Sequence, residues 1–188
     1  MSLSIKSRVA ELNLTLPEPA KAVGNYVPRL HIGDMLYISG QLPVLEGKPQ
    51  YQGKVSVMED KRIIADRREG SETAYHPHRS REDRRQDNDN CFGNIAVEAA
   101  QLCALNIIAQ IAAEVDDNLE KVAHIVRLGG FVNANASFSE HAKIINGASD
   151  LMVAVFGSEV GTHVRAATGA SSLPFDVPVE IEALVALK

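Results

Sequence analysis

Residues 162–188 read THVRAATGASSLPFDVPVEIEALVALK, and this stretch decides the fold. From Val179 to Leu187 every second residue is apolar, and Glu180 and Glu182 lie between them. Such alternation predicts a β-strand, because successive side chains of a strand point to opposite faces. Arg165 opens an earlier strand of small residues, and Leu173-Pro174 separates the two. Removing charge from water is costly without a partner, so these three charged groups either pair with one another or meet a ligand.

The first half of the chain predicts short strands. Residues 1–22 are compatible with a short helix or an extended arm that ends in a turn. From Tyr26 to Pro43 apolar and polar residues alternate on both sides of Gly33-Asp34, which is typical of a hairpin turn. A third short strand is predicted from Gly53 to Val57.

The second half predicts two helices and three strands. Ile95 to Ala113 is an amphipathic helix, with Glu98, Gln101, Asn106 and Gln110 mainly along one side. A strand from Val122 to Val132 follows, and Ser137 with Glu140 has the spacing of a capping box that would start the second helix. Strands over 163–170 and 178–187 end the chain. Without a regular βαβ alternation, this order predicts an α+β fold, with two helices packed on one face of a mixed sheet.

Composition limits the class of protein. At 188 residues the chain is long enough for one domain and short for two, so we expect a single domain over residues 1–188. The net charge of -5 and the pI near 5.7 do not favour nucleic acid as a partner. The first residues lack the apolar core of a secretory signal, and the polar residues in the long helix would be costly in lipid, so we expect a cytoplasmic protein without membrane contact. Cys91 and Cys103 form no CxxC motif, and both are expected to be free thiols.

An abrupt change of composition follows Val57. Residues 60–90 contain eight basic and eight acidic side chains and few residues that could support a core. This mixture predicts a solvated, mobile loop. The basic side chains around His76-Pro77-His78-Arg79 could contact phosphate, but the equal number of acidic ones favours the loop. We take residues 59–93 as a charged insert in the domain.

Several short motifs occur in a fixed order along the chain. They are Val23-Gly24-Asn25-Tyr26-Val27, Leu36 to Pro43 (LYISGQLP), Phe131-Val132-Asn133, Asn146 and the segment from Arg165 to the end. Together they resemble the YjgF/RidA family of reactive-intermediate deaminases, also called L-PSP endoribonucleases, over residues 23–57 and 95–188. The resemblance implies a chorismate-mutase-like fold and a homotrimer. Relative to the family pattern, residues 59–93 are an insertion.

The resemblance also implies a set of site residues. In the family the arginine that matches Arg165 holds the carboxylate of a 2-imino acid or its enamine tautomer, in a cleft between adjacent subunits. Glu180 matches the acid that positions the attacking water. Tyr26, Ser39 and Asn146 match positions that line the cleft. From the residues alone, Arg165 could instead form a structural ion pair with one of the two glutamates, and Glu182 could form a solvent or interface salt bridge.

Three functions are compatible with these features. The first is hydrolysis of reactive 2-imino acids to 2-oxo acids and ammonia, with Arg165 and Glu180 as the catalytic residues. It needs no metal or organic cofactor, because the imine carbon is already electrophilic. The second is non-catalytic binding of small metabolites, or a stress-related interaction role. The third is cleavage of single-stranded RNA, which the acidic pI does not favour. His163, next to Arg165, is either a modulator of that arginine or an ordinary edge-strand residue.

Overall fold

The computed structural model describes residues 4–57, 63–65 and 92–188, and in this part of the chain one mixed sheet carries two long helices. A short helix precedes them, and two small hairpins flank the sheet. In chain order the elements are α1 (Ile5–Glu11), β1 (Arg29–Ile32), β2 (Met35–Gln41), β3 (Val44–Leu45), β4 (Lys48–Pro49), β5 (Val55–Val57), β6 (Ile63–Ala65), α2 (Phe92–Glu114), β7 (Val122–Asn133), α3 (His141–Gly161), β8 (Val164–Ala170) and β9 (Val179–Leu187).

The main sheet has the strand order β1-β2-β9-β7-β8, and only the β7–β8 pair is parallel. Helices α2 and α3 pack against one face of the sheet and against each other. This confirms the predicted α+β arrangement. The helix α1, left open as a helix or an arm by the sequence, is a third helix that contacts both long ones, with Ile5 and Val9 fully buried. The two-residue turn Gly33-Asp34 also forms as predicted, with Gly33 at φ 65°.

Helix α2 differs from the amphipathic helix that the sequence predicts. Asn106 and Gln110 are 2% and 0% exposed, because segments outside the sheet cover the polar side of the helix. Gln110 donates to the Ala20 carbonyl oxygen at 2.7 Å and accepts from Arg29 Nη1 at 2.8 Å. The helix is long and apolar enough to cross a membrane over Ile95–Glu114, but most of that stretch is buried inside the fold, as in a core helix.

Two local predictions are wrong. The capping box is not formed, because α3 begins one residue after Glu140 and has no side-chain cap. Phe138 is buried and packs edge-on against the His141 ring, and the turn that holds Phe138 occupies the residues where the box would lie. Within the charged insert, Ile63–Ala65 forms a strand antiparallel to β5 instead of a loop, since two β-branched residues favour a strand there. Phe92 and Gly93 at the end of the insert begin α2, and residues 59–62 and 66–91 lie outside the described residues.

The face of the sheet opposite the helices, called the outer face below, carries exposed apolar side chains in the part of the chain that the structure describes. Register places Leu30 and Ile32 of β1, Tyr37 of β2 and Val164 of β8 on it. These four side chains are 50%, 59%, 50% and 67% exposed. Apolar side chains on a contiguous exposed surface of this kind are typical of a face that contacts another protein chain.

Candidate functional site

Glu180 and Glu182 lie two residues apart on β9 and therefore point to the same, outer face of the sheet. Each carboxylate folds over a glycine of a neighbouring strand. A Cβ atom on Gly40 of β2 would collide with Glu180 Oε1, and one on Gly129 of β7 would lie 2.5 Å from Glu182 Oε1. The two glycines therefore make the space in which the two carboxylates lie.

A β-bulge in β2 brings Gly40 to this position. Between the pairs Ile38–Ala183 and Gln41–Ile181, β2 advances by one residue more than β9 does. The extra residue puts Ser39 and Gly40 at the irregularity, beside Glu180. Bulges of this kind often occur next to functional sites, because they change the direction of side chains without ending the strand.

The two glutamates differ in their partners. Glu182 accepts from Arg127 Nη1 at 2.9 Å, which confirms the alternative of a salt bridge for this residue. Among residues 4–57, 63–65 and 92–188, no side chain or backbone donor bonds to the Glu180 carboxylate. Desolvation by burial, and then the negative charge of Glu182, raise the pKa of Glu180 above its usual value. Glu180 is therefore an unpaired, half-buried carboxylate with increased basicity.

Arg165 makes neither of the ion pairs that the sequence left open. Its guanidinium reaches helix α3 on the other side of the sheet. Nη1 donates to Ser149 Oγ at 2.8 Å, and Nη2 donates to Asn146 Oδ1 at 2.8 Å and to the Ala142 carbonyl oxygen at 3.1 Å. Three of the five N–H groups are thus engaged, and both N–H groups of Nη2 are among them. The Nε–H group and one Nη1–H group have no acceptor among the described residues.

His163 extends this network. Its Nδ1 lies 2.7 Å from the Gly161 carbonyl oxygen, which can only accept, so Nδ1 carries the proton. With the proton on Nδ1, Nε2 is an acceptor, and the Ser149 hydroxyl donates to it at an Oγ–Nε2 distance of 3.0 Å. The Ser149 oxygen then accepts the hydrogen bond from Arg165. His163 therefore acts on Arg165 through Ser149. The sequence prediction missed Ser149, although Ala142, Asn146 and Ser149 have the i, i+4, i+7 spacing of one helix face.

Ser39 precedes Gly40, over which the Glu180 carboxylate folds, and Tyr26 lines the same cavity as Gly40. Tyr26 and Ser39 also line a shallow depression on the outer face, and the cavity that Tyr26 and Gly40 line is deeper. Tyr26 is 52% exposed, and Ser39 Oγ donates to the Val27 carbonyl oxygen at 2.9 Å. The predicted site residues therefore form two groups. Tyr26, Ser39 and Glu180 are called the carboxylate group below, and Arg165 with Asn146 the arginine group.

Within one chain the arginine group and Glu180 of the carboxylate group lie on opposite faces of the sheet. Arg165 lies on the helix side of edge strand β8, while Glu180 points to the outer face. Two strands, β9 and β7, separate β2 from β8 in the sheet order. With strands about 4.8 Å apart, β2 and β8 are roughly 14 Å apart.

Metal-binding and thiol chemistry have little support in the described ranges. No group of three or more His, Cys, Asp or Glu side chains that could hold a metal ion occurs within residues 4–57, 63–65 and 92–188. Cys103 is a free thiol, as predicted, and its burial in the core raises its pKa. Cys91 lies outside the described residues. A buried thiol with a raised pKa is a poor nucleophile.

Comparison with known proteins places the chain in a family. Residues 88–185 match the family model described as "YjgF/chorismate mutase-like, putative endoribonuclease". Over its full length the chain is 34% identical to protein TCP17 of Trypanosoma cruzi and covers 99% of that protein. The chain belongs to the YjgF family. This confirms the resemblance that the motifs indicate.

Solved structures agree with this assignment. The crystal structure of protein Atu1372 from Agrobacterium tumefaciens, whose function is unknown, has a TM-score of 0.74 and 35% identity, with 100% of this chain and 95% of Atu1372 covered. The structure of E. coli TdcF with bound serine has a TM-score of 0.52 and 19% identity, with 92% and 94% covered. The second likeness concerns the YjgF fold alone, and its bound serine belongs to TdcF.

Proposed function

We propose that this YjgF protein hydrolyses reactive 2-imino acids and their enamine tautomers to 2-oxo acids and ammonia. Two incompletely satisfied charged groups among the described residues carry the proposal: the Glu180 carboxylate, which no described donor reaches, and the Arg165 guanidinium, which has two N–H groups without a described acceptor. Hydrolysis of a negatively charged substrate needs a cationic group that binds the substrate and a basic group that activates water. Family membership supports the choice of substrate.

The proposed chemistry assigns one task to each group. Arg165 binds the substrate carboxylate through charge-assisted hydrogen bonds. Glu180 accepts a proton from water while the water oxygen bonds to the imine carbon, and a carboxylate with a raised pKa is a better base for this step at neutral pH. That proton passes to the nitrogen and gives a carbinolamine. Glu180 then takes the proton of the carbinolamine hydroxyl group and delivers it to the amino nitrogen, so that the carbon–nitrogen bond breaks, ammonia leaves and the carbonyl of the 2-oxo acid forms.

Binding of the carboxylate requires a small rearrangement at Arg165. A parallel two-pronged contact uses neighbouring N–H groups, and both N–H groups of Nη2 are already bonded to Asn146 and Ala142. Rotation of the Asn146 amide would release one of them. We therefore assign Asn146 a role in holding Arg165 until the substrate carboxylate replaces its amide oxygen.

We further propose that the site is shared between subunits of a homotrimer. Arg165 of one subunit would meet Tyr26, Ser39 and Glu180 of its neighbour. The placement of the two groups on opposite faces supports this arrangement, as do the exposed apolar side chains of the outer face. Sedimentation of the purified protein should give the mass of three chains.

Mixing two inactive variants tests the shared site. Trimers assembled from equal amounts of Arg165→Ala and Glu180→Gln chains should recover about a quarter of the wild-type activity, because a neighbouring pair has both intact groups in roughly one case in four. The chains are denatured together and refolded, and ammonia release is compared with that of each variant refolded alone. Mixed trimers as inactive as the separate variants would contradict a shared site.

The glycine beneath Glu180 gives a second test. Gly40→Ala should lower kcat/KM for 2-iminopropionate by roughly a hundredfold. The new methyl group displaces the Glu180 carboxylate, and moving a catalytic group by about 1 Å typically reduces the rate by about this factor. The free energy of unfolding should change by less than about 1 kcal/mol, because only the end of a flexible side chain must move. Gly129→Ala is the matched control, since it displaces Glu182, and it should keep most of the activity. Equal losses in both variants would argue against a specific role of Glu180.

The name of the family model makes single-stranded RNA the second substrate to assay. Glu180 and Glu182 place negative charge on the outer face, which repels phosphate. We therefore expect no RNA cleavage by highly purified protein. Cleavage that disappears in Glu180→Gln would favour the nuclease, and saturable binding of 2-oxo acids without turnover would favour a binding protein.

A further inference from the structure

A cavity of about 630 Å³ lies between the N-terminal segment and the residues that follow β2. Gly40 lines this cavity, and the Glu180 carboxylate contacts the same glycine. Tyr26 lines both the cavity and the shallow depression on the outer face. A substrate whose imine carbon lies at Glu180 therefore has the cavity next to it.

The walls of the cavity are mainly apolar and include two exposed aromatic rings. Tyr26 is 52% exposed and Phe175 is 55% exposed. An aromatic ligand in contact with such rings gains edge-on or stacked ring contacts in addition to apolar burial. The remaining apolar walls include Pro17, Pro19, Val23, Leu42, Val44 and Leu45.

Phe175 has a backbone conformation that few residues with a side chain adopt. Its φ of 54° and ψ of 17° lie in the left-handed region. Gln52 Nε2 donates to the Phe175 carbonyl oxygen at 2.9 Å, and the Gly53 N–H group donates to that of Asp176 at 2.6 Å. These two hydrogen bonds hold the loop in the strained conformation. Strain of this kind occurs mainly at functional sites, and here it belongs to a residue of the cavity wall.

The volume of the cavity is much larger than a small substrate side chain. Cavities of this size hold ring-sized apolar groups, and the methyl group of 2-iminopropionate would leave most of the space empty. We propose that the preferred substrate is a 2-imino acid with an aromatic side chain, whose ring enters this cavity and contacts Tyr26 and Phe175. The inference rests on the proposed imine hydrolysis and names the substrate class of that site.

A series of three substrates tests the preference. An amino-acid oxidase generates the imines of phenylalanine, leucine and alanine, and ammonia release gives kcat/KM for each. The phenyl substrate should exceed the methyl substrate by about tenfold to a hundredfold, because burial of a phenyl group contributes a free energy of this order. It should exceed the isobutyl substrate by about twofold to tenfold through the ring contacts. Equal values for all three, or a preference for isobutyl, would overturn the proposal.

Three variants connect the preference with the cavity. Val44→Phe fills part of the cavity and should remove most of the preference for the phenyl substrate. Phe175→Leu keeps an apolar side chain but loses the ring, so it should lower kcat/KM for the phenyl substrate by about twofold to tenfold. Leu12→Phe, at a half-buried position that does not line the cavity, should keep the preference. A preference that persists in Val44→Phe would overturn the assignment to this cavity.

Binding of the 2-oxo acid products separates this inference from the reaction itself. In calorimetry of the wild-type protein, phenylpyruvate should bind at least about tenfold more tightly than pyruvate, because the cavity holds the ring in either case. Failure to accelerate hydrolysis of any of the three imines would exclude the proposed reaction, and the affinity ratio would still decide whether the cavity takes an aromatic ring. Equal affinities of the two 2-oxo acids would overturn the cavity assignment even in an active enzyme.

Discussion

Arg165→Ala is expected to lower kcat/KM for 2-iminopropionate and 2-aminoacrylate by at least about thirtyfold. Removal of one member of a hydrogen-bonded charge pair typically costs about 2–5 kcal/mol, and 1.4 kcal/mol corresponds to a factor of ten. The guanidinium is the cationic group that the α3 contacts hold at the β8 edge. Ammonia release from enzymatically generated substrate gives the rate.

Two controls make the Arg165 result specific. Arg165→Lys keeps the charge but loses the planar fork, so it should recover only a small part of the activity. Arg8→Ala removes an arginine that pairs with Glu11 on α1 and should leave activity unchanged. Circular dichroism and sedimentation must show matched folding and assembly. An Arg165→Ala protein as active as wild type would exclude the proposed carboxylate clamp.

Glu180→Gln is expected to lower kcat by about a hundredfold to ten-thousandfold, the usual contribution of a general base. The substitution keeps the shape of the side chain above Gly40 and removes only its basicity. In the wild-type protein the activity should fall on acidification as Glu180 is protonated, and the fall should begin at a higher pH than for an ordinary glutamate because the pKa is raised. Glu182→Gln should move this limb to lower pH, since the charge of Glu182 contributes to the shift. An acidic limb unchanged in Glu182→Gln would argue against Glu180 as the titrating group.

Glu180→Gln should also increase the stability of the folded protein at neutral pH. A carboxyl group with a folded-state pKa above its unfolded value favours the folded state fully below the unfolded pKa, and this contribution is lost as the pH rises through the folded pKa. Above that pH the wild-type protein carries an unfavourable buried charge that glutamine lacks. The thermal midpoint of Glu180→Gln should therefore exceed that of wild type at pH 8, and the difference should diminish below the ordinary glutamate pKa of 4.5. A lower midpoint at pH 8 would indicate that Glu180 has a stabilising partner.

Regular periodicity was the part of the fold that could be predicted. Local patterns predict β9, the Gly33-Asp34 turn and the two long helices, and these elements keep their predicted type in the folded chain. The polar residues of α2 were misinterpreted because their carbonyl partners, such as that of Ala20, come from distant parts of the chain. The bulge beside Gly40 is one extra residue in a short strand, and no local pattern marks it.

The composition of the candidate site was more predictable than its geometry. The motifs around Tyr26, Ser39, Arg165 and Glu180 suggested the residues, but not which of them lie together. That depends on strand order, since β9 lies between β2 and β7, and on the face to which each side chain points. Ser149 was missed because a serine within a helix carries no signal until the strand that bears Arg165 is placed beside it.

Arg165 and Glu180 lie on opposite faces of the sheet, and the shared centre that we propose would make activity depend on protein concentration. A centre completed by a second copy exists only to the extent that copies associate, so the fraction of competent centres follows mass action. Specific activity, which is constant for a self-sufficient enzyme, would then decrease on dilution and recover on concentration. In a protein that removes reactive metabolites, the rate of removal would then rise more than in proportion to the amount of protein synthesised.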